Sequence, residues 1–503
     1  MSGADSAVGG GTPAGAFLAR ARAHPEATAL VDRDGGTSYG ELRALAGAER
    51  SRVAALGLPP GEPVAVEAVK SPATLALLLA CQLERRPVLL TSQSLGVRVR
   101  AALHEQAGVR RVLAPGTDGG TTGAGETGTD GGTGSFDSAP LMLLTTSGST
   151  GTPKIVPLTA TAVMEFTRWA AGHFGIGPGT TVLNHAPLNF DLCLLDVWTT
   201  LAHGGRIVLV DPDRAAHGPH LLEQVTRHRP EIVQAVPMFY RLLADAADRE
   251  GRTLPGVRHA VFTGDSMPVP LLGRLPALLP GARLSNLYGC TETNDSFLHE
   301  VTDPTVPAPL GRPLPGVHAV VVAPDGHVLE GAGSGELYVS TPFQSHGYLD
   351  ARARPAAFVP DPRGTADGPR FFRSGDLVHR DADGRHTLLG RTDFQVKVRG
   401  VRVNPQEVEH VLLDHPDVTE AAVLARPDPV AGNLLHAVVR RTPGSGLNSL
   451  ALRGHLARGL PRAAVPGTVR ITDEPLPRTS TGKVDRDRVI PAPARTIRPS
   501  KES

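Results

Sequence analysis

Lysine is scarce in this chain: five of its 51 basic residues are Lys (Lys70, Lys154, Lys397, Lys483 and Lys501) and the rest are Arg. Arg serves wherever a generic cation suffices, so a lysine that persists marks a candidate site for a compact ammonium on a flexible stem. Aromatic residues make up 4% of the chain, and there are three cysteines, Cys81, Cys193 and Cys290. Their spacing matches neither a metal-ligand set nor a disulfide framework, which fits a reducing, cytoplasmic setting. Long apolar runs are missing: the longest, around Leu75 to Cys81, is far short of a bilayer span, and no charged-then-apolar signal segment opens the chain. Neither sign of charge is in excess, since the formal net charge is +1 with 20% charged residues. That excludes the electrostatic footprint of a nucleic-acid binder. The expectation is a cytoplasmic protein with no membrane and no nucleic-acid partner.

At 503 residues the chain is too long for one small core and implies two or more domains. Residues 1 to 12 are small and polar and read as a frayed end. From Ala16 to about Leu113, helical patterns (Glu41 to Leu56, Ala73 to Leu83) alternate with short strands (Pro63 to Glu67, Pro87 to Leu90), which is α/β organisation. Residues 115–140 form a Gly/Thr/Asp tract with almost no apolar residue, expected to be a disordered surface loop. Ala160 to Ala171 reads as a helix, and strands are expected near Arg206 to Val210, Ile232 to Val236 and His259 to Phe262. Three of the five lysines, Lys154, Lys397 and Lys483, fall inside Gly-rich motifs. Lys70 and Lys501 are ascribed to chance.

The most informative stretch is Leu141-Met-Leu-Leu-Thr-Thr-Ser-Gly-Ser-Thr-Gly-Thr-Pro-Lys154. A buried strand runs into a loop of hydroxyls and glycines, and Ile155-Val-Pro-Leu158 leads out. Glycine lets backbone N–H groups turn towards a ligand, and Ser and Thr add donors that rotate to fit. Lys154 closes the loop with a point charge, so the loop is an oxyanion cradle suited to a polyphosphate. It is not a P-loop of the GxxxxGK[ST] type, because Pro153 precedes Lys154 and no Ser or Thr follows. From Thr146 to Lys154 it closely resembles the phosphate-binding signature TSGSTGxPK of the adenylate-forming enzymes, the acyl-CoA synthetases, peptide-synthetase adenylation domains and luciferases.

Four further motifs extend the resemblance over about residues 16 to 490. Asn286-Leu-Tyr-Gly-Cys-Thr-Glu-Thr293 is similar to the family's second nucleotide motif. That likeness implies that Tyr288 stacks near adenine, Thr291 contacts phosphate, and Glu292 helps hold Mg²⁺, a hard cation that wants oxygen ligands. Phe372-Arg-Ser-Gly-Asp-Leu377 resembles RTGD, whose Asp, here Asp376, accepts both ribose hydroxyls. Gly390-Arg-Thr-Asp-Phe-Gln-Val-Lys-Val-Arg-Gly400 resembles the hinge motif, with Asp393 as pivot. Arg478-Thr-Ser-Thr-Gly-Lys-Val-Asp485 resembles the catalytic-lysine loop, with Lys483 as that lysine. The nucleotide contacts implied are Thr146, Ser147, Gly148, Ser149, Thr150, Gly151, Lys154, Gly264, Asn286, Tyr288, Gly289, Thr291, Asp376 and Arg391. Asn404-Pro-Gln-Glu407 reads independently as a helix start.

The fold implied is α/β: a large N-terminal part of several sheets and helices over residues 1–391, a small mobile α+β C-terminal domain over 394–490, and a tail over 491–503. The reaction implied runs in two steps. A carboxylate attacks the α-phosphorus of ATP to give an acyl-adenylate and pyrophosphate, and a thiol then displaces AMP. Lys483 would serve the first step. Rotation about Asp393 would bring Lys397 to the second.

For the substrate, Phe190-Asp-Leu-Cys193 resembles the FDxS segment of amino-acid adenylation domains, with Cys in place of Ser. In that family the Asp, here Asp191, holds the α-amino group. Pro187-Leu-Asn-Phe190 stands where many acyl-CoA synthetases have PLFH, which favours an amino acid over a fatty acid. The acyl pocket implied is lined by Asp191, Leu192, Leu195, Val261, Thr263, Leu287, Asp295 and Ser296, with either Gln234 or Ala235. Asp295 is then a second carboxylate in that cavity. Either it caps a backbone N–H, or the substrate brings a second donor or cation to it. No carrier or condensation module is recognisable, so the acceptor thiol is expected on a separate carrier protein or on coenzyme A. The alternatives are an acyl- or aryl-CoA ligase and a nucleotide-binding homologue that no longer catalyses.

Overall fold

A computed structural model describes residues 11–92, 95, 97–117, 120–121, 140–146, 154–350, 357–365, 368–392, 396–398, 401–428, 432–460, 464–479 and 483–489. The chain divides into two compact units. One is formed by Met1–Met267, Leu271–Ser374 and Val378–Leu388, the other by Pro268–Pro270, Gly375–Leu377 and Leu389–Ser503.

The larger unit is organised by a nine-stranded sheet. Six interior strands run parallel, in the spatial order Arg283–Cys290, His259–Phe262, Ile232–Ala235, Thr181–Asn184, Arg206–Leu209 and Thr28–Asp32. Antiparallel strands finish the two edges, Asn294–Glu300 and Arg312–Pro313 on one side and Gly35–Ser38 on the other. A parallel sheet is covered on both faces, which is why these strands read as apolar runs and not as alternating ones. Side chains still alternate between two cores. Leu183, Val208, Val233, Ala235 and Phe262 pack with the helices Gly218–His228 and Pro237–Glu250. Val182, Ile207, Ile232, Val261 and Leu287 face the opposite way, towards Ala160–Phe174 and the π-helical turn Leu194–Thr199.

A six-stranded sheet holds Gly120–Thr121, Arg111–Leu113, Val64–Glu67, Val88–Thr91, Pro140–Thr146 and Lys154–Thr159 in that order. Its helix Pro72–Leu83 starts where the Ser71 hydroxyl accepts from the Thr74 N–H at 3.1 Å, and it is buried almost end to end. The tract over 115–140, expected to be a disordered loop, is not wholly so: Gly120–Thr121 pairs antiparallel with Arg111–Leu113. Two backbone-paired residues need no apolar side chains, so composition misses them. Residues 118–119 and 122–139 lie outside the described residues.

The smaller unit has a three-stranded sheet (Val418–Asp428, Gly432–Arg441, Thr468–Thr472) and a two-stranded hairpin, Val396–Val398 with Val401–Val403. The helix Pro405–Leu413 begins as its sequence implies: the Asn404 side chain accepts from the Gln406 N–H at 2.9 Å, with Pro405 at the first position. Val408 and Leu412 of this helix, Val423 and Leu435 of the sheet, and Leu452 and Leu456 of the helix Ser449–Gly459 form the core.

Candidate active site

The phosphate-loop candidate connects two paired strands. Strands Pro140–Thr146 and Lys154–Thr159 pair antiparallel with Thr146 directly opposite Lys154, so both ends of the loop meet. Ser147, Gly148, Ser149, Thr150 and Gly151 lie outside the described residues. The Lys154 ammonium sits 4.7 Å from the centre of the Tyr348 ring, and the Tyr348 hydroxyl donates to Glu292 Oε1 at 2.6 Å. Glu292 is buried, and burial pushes its carboxyl up; the Tyr348 hydrogen bond and the Lys154 charge oppose this. Tyr348 was not among the expected site residues. Only the fold brings it to Glu292: the Ser345 N–H donates to the Glu292 carbonyl at 2.8 Å and the Ser345 hydroxyl to the Pro157 carbonyl at 2.8 Å.

Asp191 lies at the start of the turn leading into the π-helix, and its carboxylate accepts from the Thr291 hydroxyl at 2.8 Å. Thr291, Glu292 and Thr293 form the tip between strands Arg283–Cys290 and Asn294–Glu300. Asn294 turns this tip with φ +56°, and its side chain accepts from the Asp295 N–H at 2.8 Å. Gly289 is required here, because a Cβ would lie 2.3 Å from the Asn294 carbonyl. The register then shifts: Tyr288 pairs with Phe297, yet Gly289 pairs with Asp295. Ser296 is therefore the extra residue of a β-bulge. Neighbours in a strand alternate in face, so Gly289 and its partner Asp295 share the face of Leu287, while Tyr288 and Phe297 share the other. The bulge thus turns Asp295 towards the side of Leu195, Val261 and Leu287, which belong to one core. The Ser296 hydroxyl is bonded inside the bulge, to Thr293 Oγ1 and the Asn294 carbonyl, each at 3.1 Å.

The register also separates Gln234 from Ala235. Gln234 is paired with Asn184 and Val261, placing it on the Val261 face, whereas Ala235 pairs with Phe262 and packs in the opposite core. Thr263 is buried, with its N–H donated to the Ala235 carbonyl at 3.2 Å; Leu192 is half-buried and Gly264 exposed. Among the other nucleotide candidates, the Asn286 amide donates to the Pro309 carbonyl at 2.8 Å, and the Tyr288 ring packs edge-on against Phe297. No backbone N–H among the described residues donates to the Asp295 carboxylate. Burial and then the charges of Asp191 and Asp196 push its carboxyl well above the ordinary range.

Behind Asp191 lies a buried polar group that the sequence reading missed. Lys70, ascribed to chance, is not a stray surface cation. Its ammonium donates to the carbonyls of His185 at 2.7 Å and Asn184 at 3.1 Å, and reaches that of Val210 at 3.4 Å. These carbonyls close the strands Thr181–Asn184 and Arg206–Leu209 at the end from which the chain runs to Asp191. Burial of the ammonium lowers its pKa to about 8, with Cys193, Asp196 and Asp211 acting the other way. Asp196 sits in the π-helical turn, fully buried, and accepts from the Asn184 amide at 2.9 Å. Burial raises its carboxyl to about 7, with the Asn184 bond and the Lys70 charge opposing. Cys193, standing where the resemblance has Ser, is buried and donates to the Pro187 carbonyl at 3.2 Å. Lysine scarcity was the signal that could have found Lys70. Asp196 carried a weaker one, a lone acid in an apolar run.

In the smaller unit, Asp376 accepts from Arg391 at 2.8 Å, so two of the nucleotide candidates form an ion pair. Gly375, at φ +73°, lets the Arg391 guanidinium approach; a Cβ there would stand 2.8 Å from its Nη2. Asp393 lies outside the described residues, and Lys397 falls in the strand Val396–Val398 opposite Arg402. Lys483 is exposed on a turn closed by pairing of Arg478 with Val484 and by the Thr479 N–H donating to the Lys483 carbonyl at 2.8 Å. Ion pairs of Arg478 with Glu420 and of Arg486 with Glu409 anchor the turn on either side. A long side chain is thus presented to solvent from a braced base.

The chain is similar to known proteins in sequence and in fold. The AMP-binding enzyme family matches residues 17–349, and the AMP-binding enzyme C-terminal domain matches residues 407–483. An L-proline–[L-prolyl-carrier protein] ligase of Pseudomonas fluorescens is 37% identical over 349 residues, covering 68% of this chain and 67% of the relative. A protein with the same name in Streptomyces coelicolor is 36% identical over 366 residues, covering 71% and 67%. In fold, the chain is similar to Klebsiella oxytoca NpsA in complex with 3-hydroxyanthranilyl-AMSN, with a TM-score of 0.78 at 22% identity over 94% of this chain and 98% of that one. The chain therefore belongs to the AMP-binding enzyme family and is an adenylate-forming ligase that binds ATP or AMP.

Proposed function

We propose that the chain activates a small amino acid as its aminoacyl-adenylate and passes the acyl group to the phosphopantetheine thiol of a separate carrier protein. The observation that carries this reading is Asp191, a carboxylate held by the Thr291 hydroxyl at the tip of the nucleotide motif. A carboxylate in that place suits an α-ammonium and repels a fatty acid. The names of the two relatives, ligases of an amino acid and a carrier protein, support the same assignment.

The chemistry asks the protein to position groups and to stabilise spreading negative charge. In the first step a substrate carboxylate oxygen bonds to the α-phosphorus and the bond to pyrophosphate breaks. Thr146 and Lys154 at the loop ends would hold the β- and γ-phosphates, and Lys483 would lie between the carboxylate and the α-phosphate. Glu292 suits Mg²⁺: its carboxylate is buried, with one oxygen committed to Tyr348. When bound there, the cation would neutralise phosphate charge with oxygen ligands. Asp376 and Arg391 would take the ribose side of the nucleotide. In the second step the thiol attacks the acyl carbon and AMP leaves, with Asp393 as the pivot and Lys397 brought to the thiol.

Hydroxylamine-trapped adenylation across a panel of amino and simple carboxylic acids tests the first half. An amino acid should give the highest rate, and a preference for an aryl or aliphatic acid without an amine would overturn the reading. Thioester formation on a phosphopantetheinylated carrier, run beside coenzyme A, tests the second. Faster transfer to coenzyme A would reassign the acceptor.

A further inference from the structure

We propose that the substrate is a diamino acid, whose second, side-chain ammonium is seated against Asp295 with Gln234 and Asp196 behind it. This rests on the amino-acid reading above and narrows it to a class that differs from the proline named for the two relatives.

The argument begins with groups that lack partners. Asp196 Oδ1, Asn184 Oδ1 and Gln234 Oε1 are all buried and receive no hydrogen bond among the described residues. Gln234 and Asn184 are register partners on one face of the sheet, and the Asn184 amide reaches Asp196 on that face. Asn184 Oδ1 and Gln234 Oε1 are acceptors, and Asp196 Oδ1 is one once ionised, so the missing component is a donor. Asp295, turned to the same side by the bulge at Ser296, adds a carboxylate with no donor among the described residues.

Charge points the same way. The charge of Asp191 raises the proton affinity of both Asp196 and Asp295, and that of Asp196 raises it at Asp295. The ammonium set against this group is that of Lys70, which acts on Asp196 and is already committed to backbone carbonyls. An α-ammonium on Asp191 leaves Asp295 uncompensated. A buried carboxylate beside a neutral side chain must stay protonated or draw in water, whereas an ammonium supplies both the charge and up to three donors. Proline, with an apolar ring at this place, would leave every one of these acceptors as it is.

Pyrophosphate exchange with the whole enzyme tests the proposal. The panel would hold diamino acids of two- to four-carbon side chains, their neutral isosteres, alanine and proline. A diamino acid should exceed its neutral isostere by roughly 10- to 100-fold in kcat/KM, the range for a hydrogen bond to a charged group. In Asp295→Asn that ratio should fall by about the same factor, while Asp295→Glu keeps part of it. Preference of the wild-type enzyme for proline or for the neutral isostere would overturn the proposal, as would an unchanged ratio in Asp295→Asn. Either result would mean that water alone satisfies these oxygens. Should Asp295→Asn fail to fold, the wild-type ranking decides. Failure of every amino acid to support exchange would instead sink the amino-acid reading beneath it.

Discussion

The hydroxyl of Thr291 donates to the carboxylate of Asp191 at 2.8 Å, joining positions one hundred residues apart. By resemblance these residues serve different ligands, a phosphate and an amine. The bond makes them one unit, so on that reading the nucleotide motif would help to orient the amine anchor. Thr291→Val keeps the shape and removes the donor. A hydrogen bond to a charged group contributes about 1.5–3 kcal/mol, so kcat/KM for the amino acid should fall roughly tenfold or more, and Thr291→Ser should recover most of it. Unaltered use of the amino acid by Thr291→Val in pyrophosphate exchange would break the link.

Lys483 stands exposed on a braced turn, free of the packing that would make its loss a folding problem. Lys483→Ala should slow adenylation by roughly 10²–10³-fold, as for loss of one transition-state donor. Given synthetic aminoacyl-adenylate, the same variant should still form thioester. Near wild-type pyrophosphate exchange would remove Lys483 from the first step.

Lys70 touches no expected substrate atom, yet it ties down the carbonyls of Asn184 and His185 from which the chain runs to Asp191. We expect a positioning role. Lys70→Met should raise KM for the amino acid about tenfold and leave KM for ATP within about twofold, since charge-assisted bonds of this kind contribute roughly 1.5–3 kcal/mol. Lys70→Arg should rescue poorly, because a planar fork does not match a compact set of carbonyls. Parallel rises in both KM values would indicate a general structural role.

Asp196 allows a test by pH. Its carboxyl moves from an ordinary 3.8 to about 7 in the folded chain because of burial. Between roughly pH 4 and 7 the folded state keeps a proton that the unfolded state has lost, so stability falls as pH rises through this window. The Lys70 amine, at about 8, titrates above it. Asp196→Asn removes the titration and offers donors to Asn184 Oδ1, which lacks one. The variant should therefore gain in unfolding free energy on the wild type at pH 8 relative to pH 5, by a few kcal/mol at most, and its Tm should rise relative to the wild type in the same sense. An equal Tm difference at both pH values would mean that Asp196 is already ionised at pH 5.

The parts of the site that the sequence shows are those whose chemistry is local. A Gly/Ser/Thr loop ending in Lys154, the Tyr288 to Glu292 run and the turn around Lys483 each announce themselves within about ten residues, because glycines and hydroxyls have few other reasons to cluster. The α/β alternation was legible for the same reason: strands such as His259–Phe262 occur where the pattern places them. The remainder depends on pairing across distance. Which of Gln234 and Ala235 shares the face of Val261 is a matter of register, read from the pairing of Gln234 with Asn184 and Val261. The bulge that turns Asp295 inward needs the pairing of two strands, and the bond from Tyr348 to Glu292 needs a loop 56 residues away. Gly120–Thr121 went unseen because backbone pairing can operate without side chains to signal it.

The few lysines also give the chain an unusual chemical handle. Three of them have described side chains, and they differ sharply in access. The Lys70 nitrogen is closed in by carbonyls, the Lys154 nitrogen lies against the Tyr348 ring, and Lys483 projects into solvent. Acylation by a reagent selective for primary amines scales with exposure of the neutral amine, and arginine does not compete for it. Among these three, the label should concentrate on Lys483. Its protection when nucleotide and acid are added would then track engagement of that lysine directly, without a reporter group being engineered into the protein.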